Sequence, residues 1–551
     1  MHLHLKKYLW IWLCFCLALA FLLPNHYKPW VSFHQEFLSF LGFLPFTLLI
    51  LLNRNNSSRS GLTPLNLVLL LALPLLALQK YLGIIPYNGD AWLYFFYIST
   101  ASITIKIFST RPIQKTDWLI FWSALLFSGI ISWGIMLHQI FSLELLQIFA
   151  IEIKPGDRPY ANLAQPNHLS TLLVLSCIGT LYLYSKNKIQ TITCVIALIA
   201  ISQGIALTQT RTVFLTLLVI SGSVFISNKS LDLNLEKKLI FLIFLFVILW
   251  TFINPLIYQS IIGQDTETAL SRPLNNVRLI FLEQSILGVL NHPWLGYGFG
   301  QIPAAQIDTI NSVTASKESF TISFHNIFAD IFVWAGIPFG IIFSTALAFA
   351  LIFAFKNIKT QEDFTALLGT IAIGTHAILE LPIHYAYFLL PTCLFLGHLL
   401  HKTSIHKKNI ESSLQIMWIA IYIAAIFIGF KILQEYLFWE KRWEQTNYKI
   451  SKFEIHGKIQ HPKHIILDHL NDLDWLRELD VTLNLSIADL DRAEKTIKRS
   501  PTPSEILKYA TMLSLNGDSE KASHYLEVVC GIYPERVCKS VMAEWVENLK
   551  K

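Results

Sequence analysis

The sequence predicts an all-α, polytopic membrane protein of about 12–13 transmembrane helices, with a large periplasmic loop and a C-terminal periplasmic helical, TPR-like domain. Three observations support this fold class. Of the 551 residues, 53% are hydrophobic and only 15% are charged, whereas about a quarter of the residues in soluble domains are charged. The mean hydropathy is +0.49. Apolar runs recur up to residue 433, and a charged tail rich in helix formers follows.

Each element of the membrane part rests on an apolar run of about 17–25 residues, the length with which a helix crosses a bilayer. The thirteen candidate runs, some of them short, are 8–23, 37–52, 62–79, 91–109, 118–137, 168–184, 189–207, 212–228, 238–254, 325–355, 364–380, 385–401 and 414–433.

The orientation follows from the positive residues, which concentrate in cytoplasmic loops. With a cytoplasmic N-terminus, every second loop carries Lys or Arg, and the opposite loops hold few. The formal charge of +6, spread over short loops, indicates topology and not nucleic-acid binding. This topology places 138–167, 208–211, 254–324 and the tail outside the cytoplasm. We therefore predict a transmembrane domain at 1–433, with a periplasmic loop at about 254–324, and a periplasmic helical domain at 434–551.

The tail contains two similar stretches, 489–493 and 518–522, each followed by a helical run that ends at Pro501 or Pro534. A period of about thirty residues, with Ala at the packing position, indicates degenerate repeats of tetratricopeptide type. An ordinary helical cap is the alternative. Cys530 and Cys538 lie in this tail, where an oxidising periplasm permits a disulfide, and the other five cysteines lie in apolar runs.

A polar loop enters an apolar run at His325 and Asn326. Imidazole is the side chain best suited to take a proton from a hydroxyl near neutral pH. A single histidine beside a membrane is more often structural, so its significance depends on the other polar groups predicted on the same face.

Two arginines belong to that face. Arg211 stands in a turn between two apolar runs, where a charge is costly and usually functional, although snorkelling to the interface is an alternative. Arg278 precedes a glycine-rich stretch, 296–300. The glycines of this stretch would let backbone N–H groups approach an anion, but any tight turn needs the same residues.

Two further clusters are predicted at the outer face. Residues 165–168, Gln-Pro-Asn-His, precede the sixth run, and helix capping explains only part of that pattern. His376 and Glu380 are four residues apart and share a helix face. A metal site with His384 is disfavoured because Pro382 interrupts the helical register, and nothing else indicates a bound metal or cofactor.

Outside the cytoplasm there is no ATP, so bond formation there needs an activated donor. Arginine binds phosphate oxygens bidentately, and two arginines would offset the charge that develops on a departing diphosphate. The clusters therefore predict group transfer from a polyprenyl diphosphate. His325 would be the base, or alternatively a cation that stabilises the leaving group.

The motifs resemble those of the bacterial protein O-oligosaccharyltransferases, PglL-type pilin glycosylation enzymes related to the O-antigen ligases. The matching residues are 161–168, 210–212, His292-Pro293, 296–298, His325-Asn326, His376 and 380–382. The Gln-Pro-Asn-His and Glu-Leu-Pro motifs are the more specific ones, because His-Asn and Gly-Tyr-Gly are shared across the superfamily.

The resemblance implies an inverting, metal-independent enzyme of the bacterial inner membrane with its active site facing the periplasm. Such an enzyme moves an oligosaccharide en bloc from undecaprenyl diphosphate to Ser or Thr of a pilin-like or other periplasmic protein. It implies that His325 is catalytic, that Arg211 and Arg278 bind the diphosphate, and that other polar residues support them. The supporting set is Gln165, Asn167, His168, Asn326, His376 and Glu380. An O-antigen ligase or polysaccharide polymerase with the same donor, and a non-catalytic lipid-glycan transporter, remain as alternatives.

Overall fold

The structure, a computed structural model, describes all residues except 1, 53–61, 112, 144, 155, 227–233, 263–276, 314–318, 402–410, 452, 454–465, 482–484, 550 and 551. Parts of the predicted periplasmic loop, 263–276 and 314–318, therefore lie outside the described residues. The regular structure within the described ranges is entirely helical. The predicted all-α fold is confirmed.

Twenty α-helices are described. The first nine are α1 (His2–Leu22), α2 (Phe33–Leu52), α3 (Pro64–Tyr81), α4 (Asn88–Thr110), α5 (Lys115–Phe141), α6 (Pro166–Ser185), α7 (Thr191–Leu207), α8 (Arg211–Ile226) and α9 (Asn234–Ile262). The next six are α10 (Val277–Asn291), α11 (Ile302–Thr309), α12 (Ile327–Lys356), α13 (Gln361–Leu379), α14 (Ala386–Leu399) and α15 (Glu411–Ile450). The last five are α16 (Asp468–Glu478), α17 (Ile487–Arg499), α18 (Pro503–Leu515), α19 (Ser519–Ile532) and α20 (Glu535–Asn548).

Each of the thirteen predicted runs coincides with a helix, namely α1–α9 and α12–α15. Within the described ranges, nine helices are long and apolar enough to cross a membrane: α1–α6, α9, α12 and α15. Three shorter apolar helices correspond to α7, α8 and α14. The chain is thus a polytopic helical membrane protein.

Two helices run far beyond their predicted ends. Helix α9 continues to Ile262 and α15 to Ile450, so the expected edges at 254 and 433 both fall inside helices. The chain divides into two compact units: unit 1 comprises Met1–Leu69, Ser99–Leu274 and Ala346–Ile423, and unit 2 comprises Leu70–Ile98, Asn275–Thr345 and Ala424–Lys551. The division into domains at 433/434 stays a prediction.

Helix α6 is the most buried span of unit 1, and it packs against α5, α7, α8 and α13. Close packing with α5 depends on glycine, because a Cβ on Gly129 would lie 2.1 Å from Ser176 Oγ. The Ser176 hydroxyl donates to the carbonyl of Leu125 at 2.8 Å. Small residues at helix contacts are typical of membrane bundles, where close backbone approach stabilises packing.

In unit 2, helices α16–α20 surround a core that includes Ile497, Tyr509 and Leu526. Ala493 and Ala522, the predicted packing positions, are both fully buried. Cys530 and Cys538, whose pairing the sequence left open, form a disulfide.

The tail is tied to α4, within the same unit, by an ion pair between a buried carboxylate and a partly exposed guanidinium. Arg499 Nε donates to both carboxylate oxygens of Asp90, at 3.0 and 2.9 Å. The amide of Gln301 donates to the same carboxylate at 3.0 Å, and Asp90 is fully buried. The ion pair joins the first turn of α4 to the end of α17, and the hydrogen bond from Gln301 adds the segment before α11.

Candidate active site

The turn that carries His325 is built by a buried aspartate. Asp330, on the first turn of α12, accepts a hydrogen bond from Ser323 Oγ at 2.5 Å and from the backbone N–H of Phe324 at 2.7 Å. The N–H of His325 in turn donates to Ser323 Oγ at 3.0 Å. His325 has φ of 58°, a left-handed conformation that costs free energy for a residue with a side chain. The Asp330–Ser323 hydrogen bonds hold that backbone in place.

Asn326 begins α12. Its side-chain oxygen accepts the N–H groups of Phe328 and Ala329, at 2.9 and 3.2 Å, which is the hydrogen bonding of a helix N-cap. The adjacent His-Asn residues therefore have separate local roles: asparagine starts the helix, and the imidazole precedes it on the turn.

The imidazole of His325 lies against α10. Its ring centroid is 5.3 Å from that of Phe281, and the His325 residue is half-buried. Arg278 is exposed and lies on α10 one turn before Phe281. Unit 2 thus brings Arg278, His325 and Asn326 to neighbouring elements.

The glycine-rich stretch is a structural turn. The N–H groups of Tyr297 and Gly298 donate to the carbonyls of Val333 and Trp334, at 2.8 and 3.0 Å. These carbonyls become available because α12 is interrupted at Gly336, which has φ of 76° and ψ of 175°. Of the two interpretations that the sequence allowed, the tight turn accounts for these glycines, because two of the N–H groups that an anion would need are used internally.

Gln79 completes the same turn. Its amide donates to the carbonyls of Leu295 and Trp334, at 2.7 and 2.8 Å, and its side-chain oxygen accepts the N–H of Phe299 at 3.3 Å. Burial, with a smaller contribution from the Asp308 carboxylate, raises the pKa of Tyr297 to about 12, so its phenol stays protonated at neutral pH. The turn is therefore a rigid, neutral support beside the start of α12.

A second cluster lies in unit 1. His168 and His376 are both buried, and their ring centroids are 5.6 Å apart. The His376 Nδ1 lies 2.7 Å from Thr171 Oγ1, and His168 packs edge-on against Tyr385 at 4.6 Å between centroids. Glu380 ends α13, where its N–H donates to the carbonyl of His376 at 2.8 Å. The two motifs thus lie side by side in unit 1, and the supporting roles assigned to them stay predictions.

Gln165, Asn167 and Arg211 lie at helix starts in unit 1. Gln165 is the N-cap residue of α6 without a side-chain capping bond, and Pro166 takes the first helical position. The Asn167 carbonyl accepts the hydroxyls of Ser170 and Thr171, at 2.8 and 3.2 Å. Arg211 is the first residue of α8 and is half-buried. That Arg211 and Arg278 both converge on His325 stays a prediction, as do the catalytic roles.

Sequence reasoning assigned no role to Asp330, Ser323 or Phe281. The signal for Asp330 was an acidic residue inside the first turn of a strongly apolar run, where a carboxylate needs a partner. Within the described residues, no group of three or more His, Cys, Asp or Glu side chains is arranged to hold a metal ion. Independence from metals stays a prediction.

Three known families match separate parts of the chain. Residues 195–344 match the family described as O-Antigen ligase, and residues 159–184 match Protein glycosylation ligase. Residues 364–545 match Virulence factor membrane-bound polymerase, C-terminal.

Two relatives from Acinetobacter baylyi match over nearly the whole length. A general O-oligosaccharyltransferase is 28% identical over 535 residues, covering 92% of this chain and 89% of the relative. A ComP-specific O-oligosaccharyltransferase is 24% identical over 538 residues, covering 94% of each chain. Together with the helical membrane fold and the His325 turn, these matches support a protein of the O-antigen ligase superfamily. Within that class, they support a similarity to the PglL-type protein O-oligosaccharyltransferases.

Proposed function

We propose that this protein transfers a preassembled oligosaccharide from undecaprenyl diphosphate to a Ser or Thr hydroxyl of a pilin-like or other periplasmic protein. The observation that carries the proposal is the turn at the start of α12, which holds the half-buried His325 directly before a helix long and apolar enough to cross a membrane. The full-length similarity to two O-oligosaccharyltransferases supports a protein as the acceptor.

The reaction that we propose is a single displacement. The acceptor oxygen bonds to the anomeric carbon of the glycan while the bond from that carbon to the diphosphate oxygen breaks, which inverts the configuration. His325 takes the hydroxyl proton. Undecaprenyl diphosphate leaves with the bonding electron pair, and Arg211 and Arg278 stabilise its added negative charge. Gln165, Asn167, His168, His376 and Glu380 support the site, and Asn326 fixes the start of α12.

We infer that the reaction takes place on the periplasmic side of the inner membrane, because the Lys and Arg residues alternate between loops as the positive-inside rule requires. The tail would lie on the same side as the acceptor. Its helix pairs α17–α18 and α19–α20, with buried alanines at equivalent positions, support tetratricopeptide-like repeats.

A polysaccharide-directed ligase is the second candidate, favoured by the O-antigen ligase match at 195–344. It would use the same donor and a sugar hydroxyl as acceptor. The two candidates differ in which molecule gains mass.

The test is co-expression of the chain with a lipid-linked glycan pathway and a candidate pilin, followed by intact-mass measurement of the pilin. We expect a mass gain equal to the glycan with the wild-type chain and none with His325→Ala at equal membrane abundance. His524→Ala, which changes an exposed tail histidine, is the matched control and should act as the wild type does. Glycosylation by His325→Ala would remove the proposed base. Sugar found on lipopolysaccharide alone would establish the ligase, and the absence of any covalent product would favour a transporter.

A further inference from the structure

Helix α10 has an apolar stripe that faces away from the protein. Its members are Leu279, Leu282, Ile286 and Leu290, which are 66%, 48%, 53% and 64% exposed. Their spacing of three, four and four residues places them along one helix face. We call these four residues the outer stripe.

The opposite face of α10 is already used for packing. Phe281 lies against Phe324 and His325, with ring centroids 6.1 and 5.3 Å away. A Cβ on Gly288 would lie 3.8 Å from Val333 Cγ2. One side of α10 therefore packs against the protein. The outer stripe does not, and about half of its side-chain surface is exposed.

The packed face also places α10 beside the start of α12. Val333 lies within the first two turns of α12, a helix long and apolar enough to cross the membrane, and His325 directly precedes that helix. Helix α10 thus lies beside the first turns of a helix long and apolar enough to cross a membrane. Further along α12, beyond the interruption at Gly336, Ile337, Ile341 and Ile342 are exposed as well, as residues that face lipid would be.

The length of α10 excludes a spanning role. Fifteen residues at about 1.5 Å each give roughly 22 Å, less than the hydrocarbon thickness of about 30 Å. A short helix with one exposed apolar face can lie in the plane of the interface with that face in the hydrocarbon. The charged residues of α10 fit that placement: Arg278 lies at its first turn and Glu283 beside the stripe, and both are exposed.

We propose that the outer stripe of α10 is embedded in the hydrocarbon of the outer leaflet, and that α10 is an interfacial helix within the segment predicted from the sequence as a periplasmic loop. The occupant is bilayer lipid. If the proposed function holds, α10 presents Arg278 at the depth where a lipid-linked diphosphate displays its headgroup.

The test is a collision measurement on spin-labelled, full-length protein in vesicles of phosphatidylethanolamine and phosphatidylglycerol. Leu279→Cys, Leu282→Cys, Ile286→Cys and Leu290→Cys are labelled one at a time. The wild-type chain is the labelling blank, because its unpaired cysteines in the described ranges are buried. Glu527→Cys, at an exposed position of α19, is the water-facing control.

At the four stripe positions we expect collisions with oxygen, which concentrates in hydrocarbon, to exceed those with water-soluble nickel ethylenediaminediacetate several-fold, with the opposite ratio at residue 527. Nickel accessibility equal to the control would overturn the proposal. So would shielding from both reagents, which would mean that protein or a second copy covers the stripe. Oxygen accessibility that arises only on addition of undecaprenyl diphosphate would assign the stripe to that lipid's chain instead. The measurement needs no transfer activity, so it stays interpretable if the proposed function fails.

Discussion

Asp330 and Ser323 are joined by a 2.5 Å hydrogen bond across the turn that contains His325. The same serine oxygen accepts the N–H of His325, so the carboxylate is linked to the backbone of His325 through Ser323. Asp330 is 1% exposed, which makes its hydrogen bonds to Ser323 and Phe324 energetically significant. We interpret Asp330 as a positioning residue.

Asp330→Asn should therefore lower transfer while leaving donor affinity nearly unchanged. The amide keeps one acceptor oxygen and replaces the other with a donor, and losing a hydrogen bond to a charged group costs about 1.5–3 kcal/mol. If that cost falls on the placement of His325, the rate decreases by about tenfold or more. The measurement is the initial rate of acceptor glycosylation in membranes over a range of donor concentrations.

A general loss of structure would instead reduce the amount of folded protein, and the rate per folded molecule would be preserved. Asp491→Asn, which changes an exposed aspartate of α17, is the control. A wild-type rate in Asp330→Asn would contradict the positioning role.

Helix starts could be predicted from the sequence, whereas an interruption inside a helix could not. Pro166 at the first position of α6 and Asn326 at the cap of α12 act within a few residues, so their effect is visible in a local pattern. The interruption of α12 at Gly336 was not predicted. It depends on the N–H of Ile337 donating to the carbonyl of Pro293, and the two residues are far apart along the chain.

Polar residues show the same division. Those proposed for the candidate site stand out in the sequence because polar groups are rare in apolar runs and cluster at their ends, and their roles stay predictions. The ion pair between Asp90 and Arg499 was not, since 409 positions separate its partners and no local pattern joins them. Nothing in the sequence alone distinguished the structural use of the glycine turn from anion binding, because both need a backbone without Cβ atoms.

Gly296→Ala and Gly336→Ala should each destabilise the protein. Both glycines have positive φ, of 67° and 76°. A Cβ on Gly296 would lie 2.4 Å from the carbonyl oxygen of Val333, and a Cβ on Gly336 would lie 2.4 Å from that of Trp294. The backbone conformation alone costs about 1–2 kcal/mol for alanine, and the steric overlap adds to it. Thermal unfolding in detergent micelles should show a lower Tm for both variants.

Gly374→Ala is the matched comparison for these two. Gly374 lies inside α13, and a Cβ added there would meet no neighbouring element of the described structure within 4 Å. Alanine is favoured over glycine in a helix by about 0.5–1 kcal/mol, so Tm should stay the same or rise. Equal Tm values for all three variants would mean that the turn at 293–300 adapts to a side chain.

Arg499→Ala should be strongly destabilising, because it leaves the carboxylate of Asp90 buried without its guanidinium. Removing one partner of a buried pair costs about 3–5 kcal/mol. The comparison is Lys539→Ala, since Lys539 pairs with Glu535 at 2.7 Å while both side chains are largely exposed. Surface pairs of that kind contribute under about 1 kcal/mol.

Combining Arg499→Met with Asp90→Asn should recover part of the loss, because the double variant contains no lone buried charge. The unfolding midpoints of the wild type, Arg499→Ala, Lys539→Ala and the double variant measure this recovery directly. If Arg499→Ala were as mild as Lys539→Ala, the buried pair would not hold the tail to α4.

Glu494 should make the stability of the tail depend on acid pH. Burial alone would raise the pKa of this carboxyl, but hydrogen bonds from Lys521 at 2.6 Å and Lys498 at 3.0 Å hold it at about 2. The pKa of this carboxyl is lower in the folded chain than in the unfolded chain, where it is near 4.5. The ionised carboxylate therefore stabilises the fold at pH values above 4.5, and this stabilisation is lost as the pH falls towards 2. The Tm of the wild-type chain in micelles should therefore decrease as the pH falls from about 5 to about 3.

Glu494→Gln should be less stable at pH 7 and change less with acid over the same interval, because the amide does not titrate. Glu535→Gln, at an exposed position of α20, should follow the wild type. Parallel curves for wild type and Glu494→Gln would show that the two lysines do not stabilise the carboxylate in the folded tail.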